Sequence, residues 1–508
     1  MLSIEAVIEI GATGIRLLIA EYTKEKNWQI LDHSELPISL GYDVFSNGSV
    51  SRESLLECLT ILHNYKEQIK SWAIKEDAIS IIATSAIREA SNKEIILDRI
   101  FVKTGFKVKV IDGIEEIRLM YLGVVHAIHN TDLAFQKNNS LIIEVGGGST
   151  EILFLQAGKI TEVHSLRLGT VLIEQHSKAS MGSQKEAKEF LRDYIASAAD
   201  QLSGELRPQS VEVFIAIGSE VRLAASHVGK KISSLAYSIE REAFIHFVDE
   251  IQEYAVEEIN ERFKIPYNEA RTLAISLLTY KLFLSLTPAK MLLVPETSIR
   301  EGLLIAKREA NSSLLQAEFN EQIIAAVYNL GKKYNIDMEH AEYVKKTSLF
   351  LFDSMKDELG LKVEERLLLE IAALLHDIGA FIRPQNHNEH SEYIILQSDI
   401  FGLNKQKHTM IASATRYHRG PEPQLSDSRY ASLTREERVS VLKIASILRI
   451  AEALDRSHRQ RLKNLEIEFK NDSFFITTEG LESLLEKRAL KEKANLFETV
   501  FGYRILLL

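Results

Sequence analysis

Cysteine is nearly absent from this 508-residue chain, because Cys58 is its only one. A single thiol excludes an intramolecular disulfide and a thiolate metal site. No run of about 18 uncharged apolar residues occurs, so we predict no membrane span. The first apolar segment carries Glu5 and Glu9 and follows no basic residues, which predicts that it is not a signal peptide and that the protein is cytoplasmic.

The chain also lacks an excess of positive charge. Its 61 basic and 71 acidic residues give a net charge of −10, which argues against general affinity for nucleic acid. A phosphorylated ligand would therefore have to meet arginines concentrated at one place. Apolar content of 45% and charged content of 26% are ordinary for a globular protein, and 508 residues are too many for one core. We therefore expect several domains.

Two segments repeat one pattern, AVIEIGATGIRLLIA at 6–20 and LIIEVGGGSTEILFL at 141–155. Each has an apolar run, a carboxylate, a turn of small residues and a second apolar run, which predicts a β-hairpin. Backbone N–H groups at such a glycine-containing tip suit phosphate oxygens. The flanking acids Glu9, Glu144 and Glu151 suit a hard cation such as Mg²⁺. Two facing hairpins predict a two-lobed cleft for phosphoryl transfer or phosphate hydrolysis.

Strand and helix patterns alternate through 1–126 and again from 141 to about 310. A long helix is predicted near 183–203, and helical segments are predicted at roughly 240–262 and 267–286. From about residue 312 the apolar spacing predicts nearly continuous helix. In the tail after residue 461, LEIEF and SFFITT predict a small strand-bearing appendage.

Five motifs in one order carry a family resemblance: IATSAIREASN, IDGIEEIRLMYLGV, EVGGGSTE, SLRLGT and SIREGLL. On these motifs the chain resembles the exopolyphosphatase / guanosine pentaphosphate phosphohydrolase (Ppx/GppA) family of the actin-like superfamily. The resemblance implies an α/β plus all-α protein with two actin-like (ribonuclease H-like) domains, a helical HD-type domain and a small C-terminal α/β region. The corresponding boundaries are 1–128, 129–310, 311–460 and 461–508.

The resemblance also implies roles for individual residues. Glu116 matches the catalytic carboxylate, although Glu115 and Glu116 alone would suit any first helical turn. Glu144 and Glu151 match Mg²⁺ ligands, with Glu9 beside them. The implied phosphate-binding residues are Gly146, Gly147, Gly148, Ser149, Thr150 and Arg88, with Arg16, Arg118 and Arg222 as further candidates. The implied activity is release of terminal phosphate from polyphosphate or guanosine pentaphosphate, and the implied partners are polyphosphate or guanosine penta- or tetraphosphate and a second copy of the chain.

The first loop departs from the family pattern. Glu9 and Glu144 stand where the family usually has aspartate, and Gly11–Gly14 lacks two hydroxyls and an amide of the usual loop. Two alternatives therefore stay open. One places the chemistry in the helical region, with the N-terminal half as a sensor, and the other is a non-catalytic regulator that binds polyphosphate or an alarmone.

A second set of candidate residues lies in the helical region, around LLHDIG at 374–379. The spacing of His340, His376, Asp377 and Asp455 fits an HD-type metal phosphohydrolase, although a lone His–Asp pair is more often structural. Imidazoles and carboxylates suit Mn²⁺, Fe²⁺ or Zn²⁺. We predict that His390 and His418 complete a second metal position and that Arg416 and Arg419 contact phosphate.

Overall fold

The computed structural model describes residues 4–22, 28–128, 137–180, 208–309, 313–479 and 484–508, with scattered positions between 189 and 200. They form two compact units, an N-terminal unit of residues 1–317 and a helical unit of residues 318–508. No helix in these ranges has the length and apolarity to cross a membrane.

A five-stranded sheet and its helices form the first part of the N-terminal unit. In chain order the elements are β1 Ile4–Ile10, β2 Gly14–Tyr22, β3 Trp28–Pro37, α1 Leu40–Asn47, α2 Arg52–Ser71, β4 Ile79–Ala83, α3 Ser85–Glu89, α4 Lys93–Thr104, β5 Lys109–Val110 and α5 Gly113–Ile128. The strand order is β3-β2-β1-β4-β5. β1 pairs antiparallel with β2 and parallel with β4. It is apolar at most positions because a central strand is covered on both faces.

A seven-stranded sheet forms the second part, in the order β10-β11-β12-β9-β6-β7-β8. Its elements are β6 Ser140–Val145, β7 Thr150–Gln156, β8 Lys159–Leu166, α6 Thr170–Ser180, β9 Val213–Ile217, α7 Ser219–Val228, β10 Lys230–Ser233, β11 Ala236–Glu240, α8 Arg241–Glu253, α9 Val256–Phe263, α10 Tyr267–Ser285, β12 Met291–Pro295 and α11 Ile299–Glu309. β6 pairs antiparallel with β7 and parallel with β9, as β1 pairs with β2 and β4. Both predicted hairpins are therefore confirmed at equivalent places in the two sheets.

The helical unit packs its helices around a core of aliphatic side chains. Its elements are α12 Ser313–Lys333, α13 Met338–Leu359, α14 Val363–Leu375, α15 His387–Leu396, α16 Lys405–Arg416, α17 Ser428–Ala431, α18 Arg435–Ala453, β13 Lys463–Lys470, β14 Ser473–Glu479, α19 Leu484–Lys493, α20 Asn495–Phe501 and β15 Arg504–Leu507. The three strands form one small sheet, which is the predicted C-terminal appendage.

Several elements differ from the sequence predictions, among them the following. The helical segments predicted at 240–262 are two helices, α8 and α9, which separate where Tyr254 is extended with φ −82° and ψ 145°. The β10–β11 hairpin and α1 were not predicted, since both are short. The helix predicted at 183–203 falls largely outside the described residues.

Candidate active site

The tips of the two hairpins meet at a cleft of about 100 Å³. A methyl group added to Gly147 would lie 2.9 Å from Cβ of Ala12, so the two turns are in close contact. The cleft is lined by Glu9, Gly11, Ala12, Thr13, Arg16, Thr84, Ser85, Glu116, Glu144, Val145, Gly146, Gly147, Ser149, Glu151, Thr170, Gly218, Ser219, Glu220, Arg222, Ser298, Ile299 and Arg300. Glutamates, arginines and glycine amides therefore converge at one place.

The start of α6 holds the glycine loop between β6 and β7. The amides of Thr170 and Val171 donate to the carbonyls of Gly146 and Gly147, at 2.9 and 3.0 Å. Because α6 occupies these carbonyls, the loop is fixed at the N-terminus of a helix, which favours an anion. Gly169 is needed for this approach, since a methyl group there would lie 2.2 Å from the carbonyl carbon of Gly148.

Two carboxylates, those of the half-buried Glu144 and the buried Glu151, face each other across the β6–β7 hairpin, where the two residues pair directly. Burial, followed by the charges of Glu9 and Glu116, raises the pKa of Glu144 to about 8. Burial and Glu116 also raise the pKa of Glu151 well above its ordinary value. Opposed like charges are unfavourable without a counterion. The arrangement therefore favours either protonation of these carboxylates or binding of a cation by them.

Glu116 lies in the first turn of α5, where it is buried and forms an ion pair with Arg88. Burial raises the pKa of Glu116 to about 7, against the opposing effect of Arg88. The Arg88 guanidinium also donates to the carbonyl of Ile111 at 2.9 Å, which fixes its position. Glu115 instead accepts two hydrogen bonds from Arg118, at 2.7 and 2.9 Å. Only the second acid of the pair therefore lines the cleft.

The arginines of the cleft are partly neutralised. Arg16 donates to Glu35 at 2.6 Å and to Glu9 at 3.2 Å. Arg300 lies 3.5 Å from the other oxygen of Glu9, and sequence reasoning missed it although it belongs to the SIREGLL motif. Arg222 lines the cleft and donates to a backbone carbonyl. Arg118, engaged by Glu115, is not among the lining residues.

Thr150 is not placed as its predicted phosphate-binding role requires. The hydroxyl of Thr150 donates to the carbonyl of Leu168 at 2.6 Å, and the residue is fully buried. A methyl group on Gly148 would lie 2.5 Å from Oγ of Ser85, so this glycine allows close packing. The prediction for Thr150 is therefore corrected to a structural role, whereas phosphate binding by the amide of Gly148 stays a prediction. Ser149 does line the cleft, and its hydroxyl donates to Glu151 at 2.6 Å.

Replacing Glu144 by glutamine should stabilise the metal-free protein at alkaline pH. Because the folded pKa of about 8 lies above the ordinary 4.5, the contribution of Glu144 to stability is full below about pH 4.5 and is lost as pH rises through 8. This shift sets a ceiling of about 5 kcal/mol, and we expect about 2 kcal/mol after local relaxation. Urea unfolding in EDTA at pH 5 and 8.5 measures this change in the free energy of unfolding.

The exposed Glu212 is the matched control for this change. Glu212→Gln should leave the difference in unfolding free energy between the two pH values as it is in the wild type. If Glu144→Gln also leaves that difference unchanged, the carboxylates do not destabilise each other.

The helical unit brings four imidazoles around one carboxylate, Asp377. Its Oδ1 lies 2.9 Å from Nε2 of His387 and 3.7 Å from Nε2 of His418. Its Oδ2 lies 3.5 Å from Nε2 of His376 and 3.8 Å from Nε2 of His340. The ligand atoms form two groups that share Asp377, and each group is spaced for a metal ion.

Hydrogen bonds assign the tautomer of each ring. The Nδ1 atoms of His376, His387 and His418 lie 2.8, 2.9 and 2.6 Å from backbone carbonyls, so each must donate a proton. In the neutral form of each ring, Nε2 then presents a lone pair. Nε2 of His376 nevertheless lies 3.2 Å from Nε2 of His340, and Nε2 of His387 lies 3.3 Å from Nε2 of His418. Facing lone pairs at this distance favour a cation between them.

Two predictions for this cluster need correction. Asp455 is in neither group, because its Oδ2 accepts from Nδ1 of His340 at 2.8 Å and its Oδ1 accepts backbone amides. It therefore orients His340, as a partner behind a metal ligand does. His390 is half-buried one turn along α15 and lies outside both groups, and His387 takes the predicted place. Both histidines occur in the short stretch HNEH, and sequence reasoning selected His390 rather than His387.

Comparison with known proteins identifies the family. The model of the Ppx/GppA phosphatase family matches residues 18–310, and that of Ppx/GppA phosphatase domain III matches residues 324–498. A guanosine-5'-triphosphate,3'-diphosphate pyrophosphatase from Photobacterium profundum is 24% identical over 455 residues, covering 88% of this chain and 84% of the relative. One from Vibrio atlanticus is 25% identical over 473 residues, covering 92% and 89%.

Two solved structures agree with the fold. The Aquifex aeolicus member of the Ppx/GppA family has a TM-score of 0.50 at 23% identity and covers 61% of this chain and 99% of its own. An exopolyphosphatase from Cytophaga hutchinsonii has a TM-score of 0.55 at 19% identity, covering 61% and 98%. The predicted α/β plus all-α class is confirmed, with domain III of the family in the helical unit. With its paired glycine loops and converging carboxylates, the chain belongs to the Ppx/GppA phosphatase family.

Proposed function

We propose that the N-terminal cleft releases terminal phosphate from inorganic polyphosphate or guanosine pentaphosphate. The observation that carries the proposal is the placement of Glu116, a buried carboxylate with a pKa of about 7, beside the glycine loop. A group with this pKa can accept a proton from water near neutral pH. The names of the curated relatives support the guanosine substrate, and that of the Cytophaga hutchinsonii structure supports polyphosphate.

Magnesium fits the donors of the cleft. Glu144 and Glu151 offer only oxygen atoms, which Mg²⁺ prefers, and their opposition across the hairpin is relieved by a cation. Glu9 is a weaker candidate because Arg16 and Arg300 already contact it. When bound, Mg²⁺ would neutralise charge on the phosphate oxygens.

The residues of the chain divide the remaining work. The amides of the glycine loop bind the terminal phosphate, and the dipole of α6 favours its negative charge. Arg88 holds Glu116 in place, and Glu116 takes the proton from the attacking water. The water oxygen joins phosphorus, the bridging P–O bond breaks, and the shortened chain leaves with the bridging oxygen. Arg222 and Arg300 lie on the cleft wall, where positive charge stabilises the leaving oxygens.

The test is phosphate release by the purified chain with Mg²⁺, from polyphosphate and from guanosine pentaphosphate, between pH 5 and 9. We expect kcat/KM to rise about tenfold per pH unit below neutrality and to level off, because only ionised Glu116 is a base. The metal-free pKa of about 7 places the inflection at or below that pH, and added Mg²⁺ should move it lower. No release from either substrate would refute the proposal, and a flat profile would exclude Glu116 as the base.

A second function is favoured by the cluster around Asp377. We propose that the helical unit is an HD-type domain with a two-metal phosphohydrolase site that takes Mn²⁺, Fe²⁺ or Zn²⁺. The convergence of the Nε2 atoms supports it, and burial lowers the pKa of His376 to about 4, so that ring is neutral at pH 7 as a ligand must be. Asp377 would bridge the two ions because its oxygens face different histidine pairs.

Replacing Asp377 by asparagine should weaken binding of both ions, since the bridging carboxylate is shared. Titration with Mn²⁺, followed by the electron paramagnetic resonance signal of the free ion, measures it, and we expect affinity to fall at least tenfold. His390→Gln is the control and should bind as the wild type does. Equal Mn²⁺ binding by wild type and Asp377→Asn would rule out this centre.

A cytoplasmic location and a homodimer stay predictions from the sequence.

A further inference from the structure

A basic cavity of about 280 Å³ opens beside the histidine cluster, within the helical unit. His418 belongs to both, because its Nε2 faces Asp377 while the residue also lines the cavity. The other charged residues on the wall are Arg419, Arg449, Arg456, Glu492 and Lys493. Cations therefore outnumber anions on a wall that a metal-site histidine shares.

The cations of this cavity come from three separate parts of the chain. Arg419 follows α16, Arg456 follows α18, and Lys493 ends α19 in the C-terminal region. They lie close enough that burial and Arg419 lower the pKa of Lys493 to about 7. Glu452 and Glu492 offset part of this positive charge, and an anion bound in the cavity would offset the rest.

Not all of these cations are available to a ligand. Arg449 is consumed in positioning, because it donates to the carbonyls of Tyr417 and Gly420, at 2.8 and 2.9 Å, and so fixes the loop that carries His418 and Arg419. Glu452 contacts both Arg456 and Lys493. Within the described residues, the guanidinium of Arg419 has no hydrogen bond or ion pair. Arg416, predicted to act with Arg419, instead pairs with Glu392 at 2.8 Å.

We propose that this cavity is the phosphate subsite of the histidine cluster, so that the substrate is a small phosphate ester or anhydride whose terminal phosphate contacts Arg419, Arg456 and Lys493. The inference rests on the second function proposed above. Several cations in one cavity match a multiply charged phosphate better than a single carboxylate. Hydrolysis there adds a water oxygen to phosphorus, breaks the bond to the leaving oxygen and delivers a proton to that oxygen.

The position of Lys493 gives the C-terminal region a part in recognition. The residue lies outside the segment predicted as the HD-type domain, 311–460, yet it stands on the cavity wall beside Arg419. Asn495, at the start of α20, also lines the cavity and contacts Arg449. The appendage would thus close the phosphate end of the site.

Calorimetric titration of the metal-free full chain with pyrophosphate tests the subsite. We expect Arg419→Gln and Lys493→Gln each to weaken one class of binding sites at least tenfold, because each removes a charged donor. Sites in the N-terminal unit are untouched by these changes, so a lost class of sites reports the cavity. Arg419→Lys should retain most of the affinity, and Lys491→Gln, an exposed neighbour on α19, should change nothing.

One result would overturn the phosphate subsite, and a different result would overturn the metal centre. Pyrophosphate binding that is the same in wild type, Arg419→Gln and Lys493→Gln would overturn the subsite. Mn²⁺ binding by Arg419→Gln should equal that of the wild type, since Arg419 is not a metal ligand. Failure of the metal centre would appear separately, as Mn²⁺ binding that survives Asp377→Asn.

Discussion

Glu116→Gln should lower kcat for phosphate release in the N-terminal cleft by about 10²–10⁴-fold. The amide has nearly the shape of the carboxylate but cannot accept the proton of the attacking water. It also removes the ion pair with Arg88, although the second hydrogen bond of Arg88, to Ile111, keeps that side chain near its place. Because the phosphate contacts of the glycine loop are separate, KM should change much less than kcat.

Glu115→Gln is the matched control, one residue away on the same helix. Glu115 pairs with Arg118 and does not line the cleft, so its loss should leave kcat within about twofold of the wild type. Both rates are measured as phosphate released from polyphosphate with Mg²⁺. Equal rates in Glu116→Gln and the wild type would move the proton acceptor elsewhere, and equal losses in both variants would indicate damage to α5 as a whole.

The local part of this site was predictable from the sequence. The hairpins follow from apolar runs flanking small residues, a pattern that needs no distant contact. Glu116 could be chosen over Glu115 only through its motif, because a helical turn places both acids near the surface. Their different partners, Arg88 and Arg118, depend on the packing of α5.

The long-range part was not predictable from spacing. Arg300 reaches Glu9 across nearly 300 residues of chain, and no local pattern indicates that pairing. His387 and His390 differ in role because of where α15 packs against the segment holding Asp377. Asp455 was predicted as a ligand since its residue type fits, but its oxygens are occupied by His340 and backbone amides. Residue type indicates the chemistry of a site, whereas the tertiary fold decides which residues reach it.

Gly169→Ala should disable the cleft without removing any group that contacts phosphate. The added methyl would lie 2.2 Å from the carbonyl carbon of Gly148 and 2.3 Å from the carbonyl oxygen of Gly147. Both atoms are backbone, so the glycine loop must move by about 1 Å, and such a displacement costs about 10²-fold in kcat/KM. The strain of accommodating the added methyl group should also lower the free energy of unfolding by about 1–3 kcal/mol.

Gly105→Ala separates the loss of activity from the loss of stability. Gly105 has φ +75°, so alanine there costs about 1 kcal/mol, yet its methyl would meet only the end of Lys66 at 3.7 Å. We expect this variant to be less stable and fully active, whereas Gly169→Ala should be less stable and about 10²-fold less active. Urea unfolding and phosphate release on the same preparations measure both. A fully active Gly169→Ala would show that the loop tolerates displacement, and the close contact with α6 would then serve only the fold.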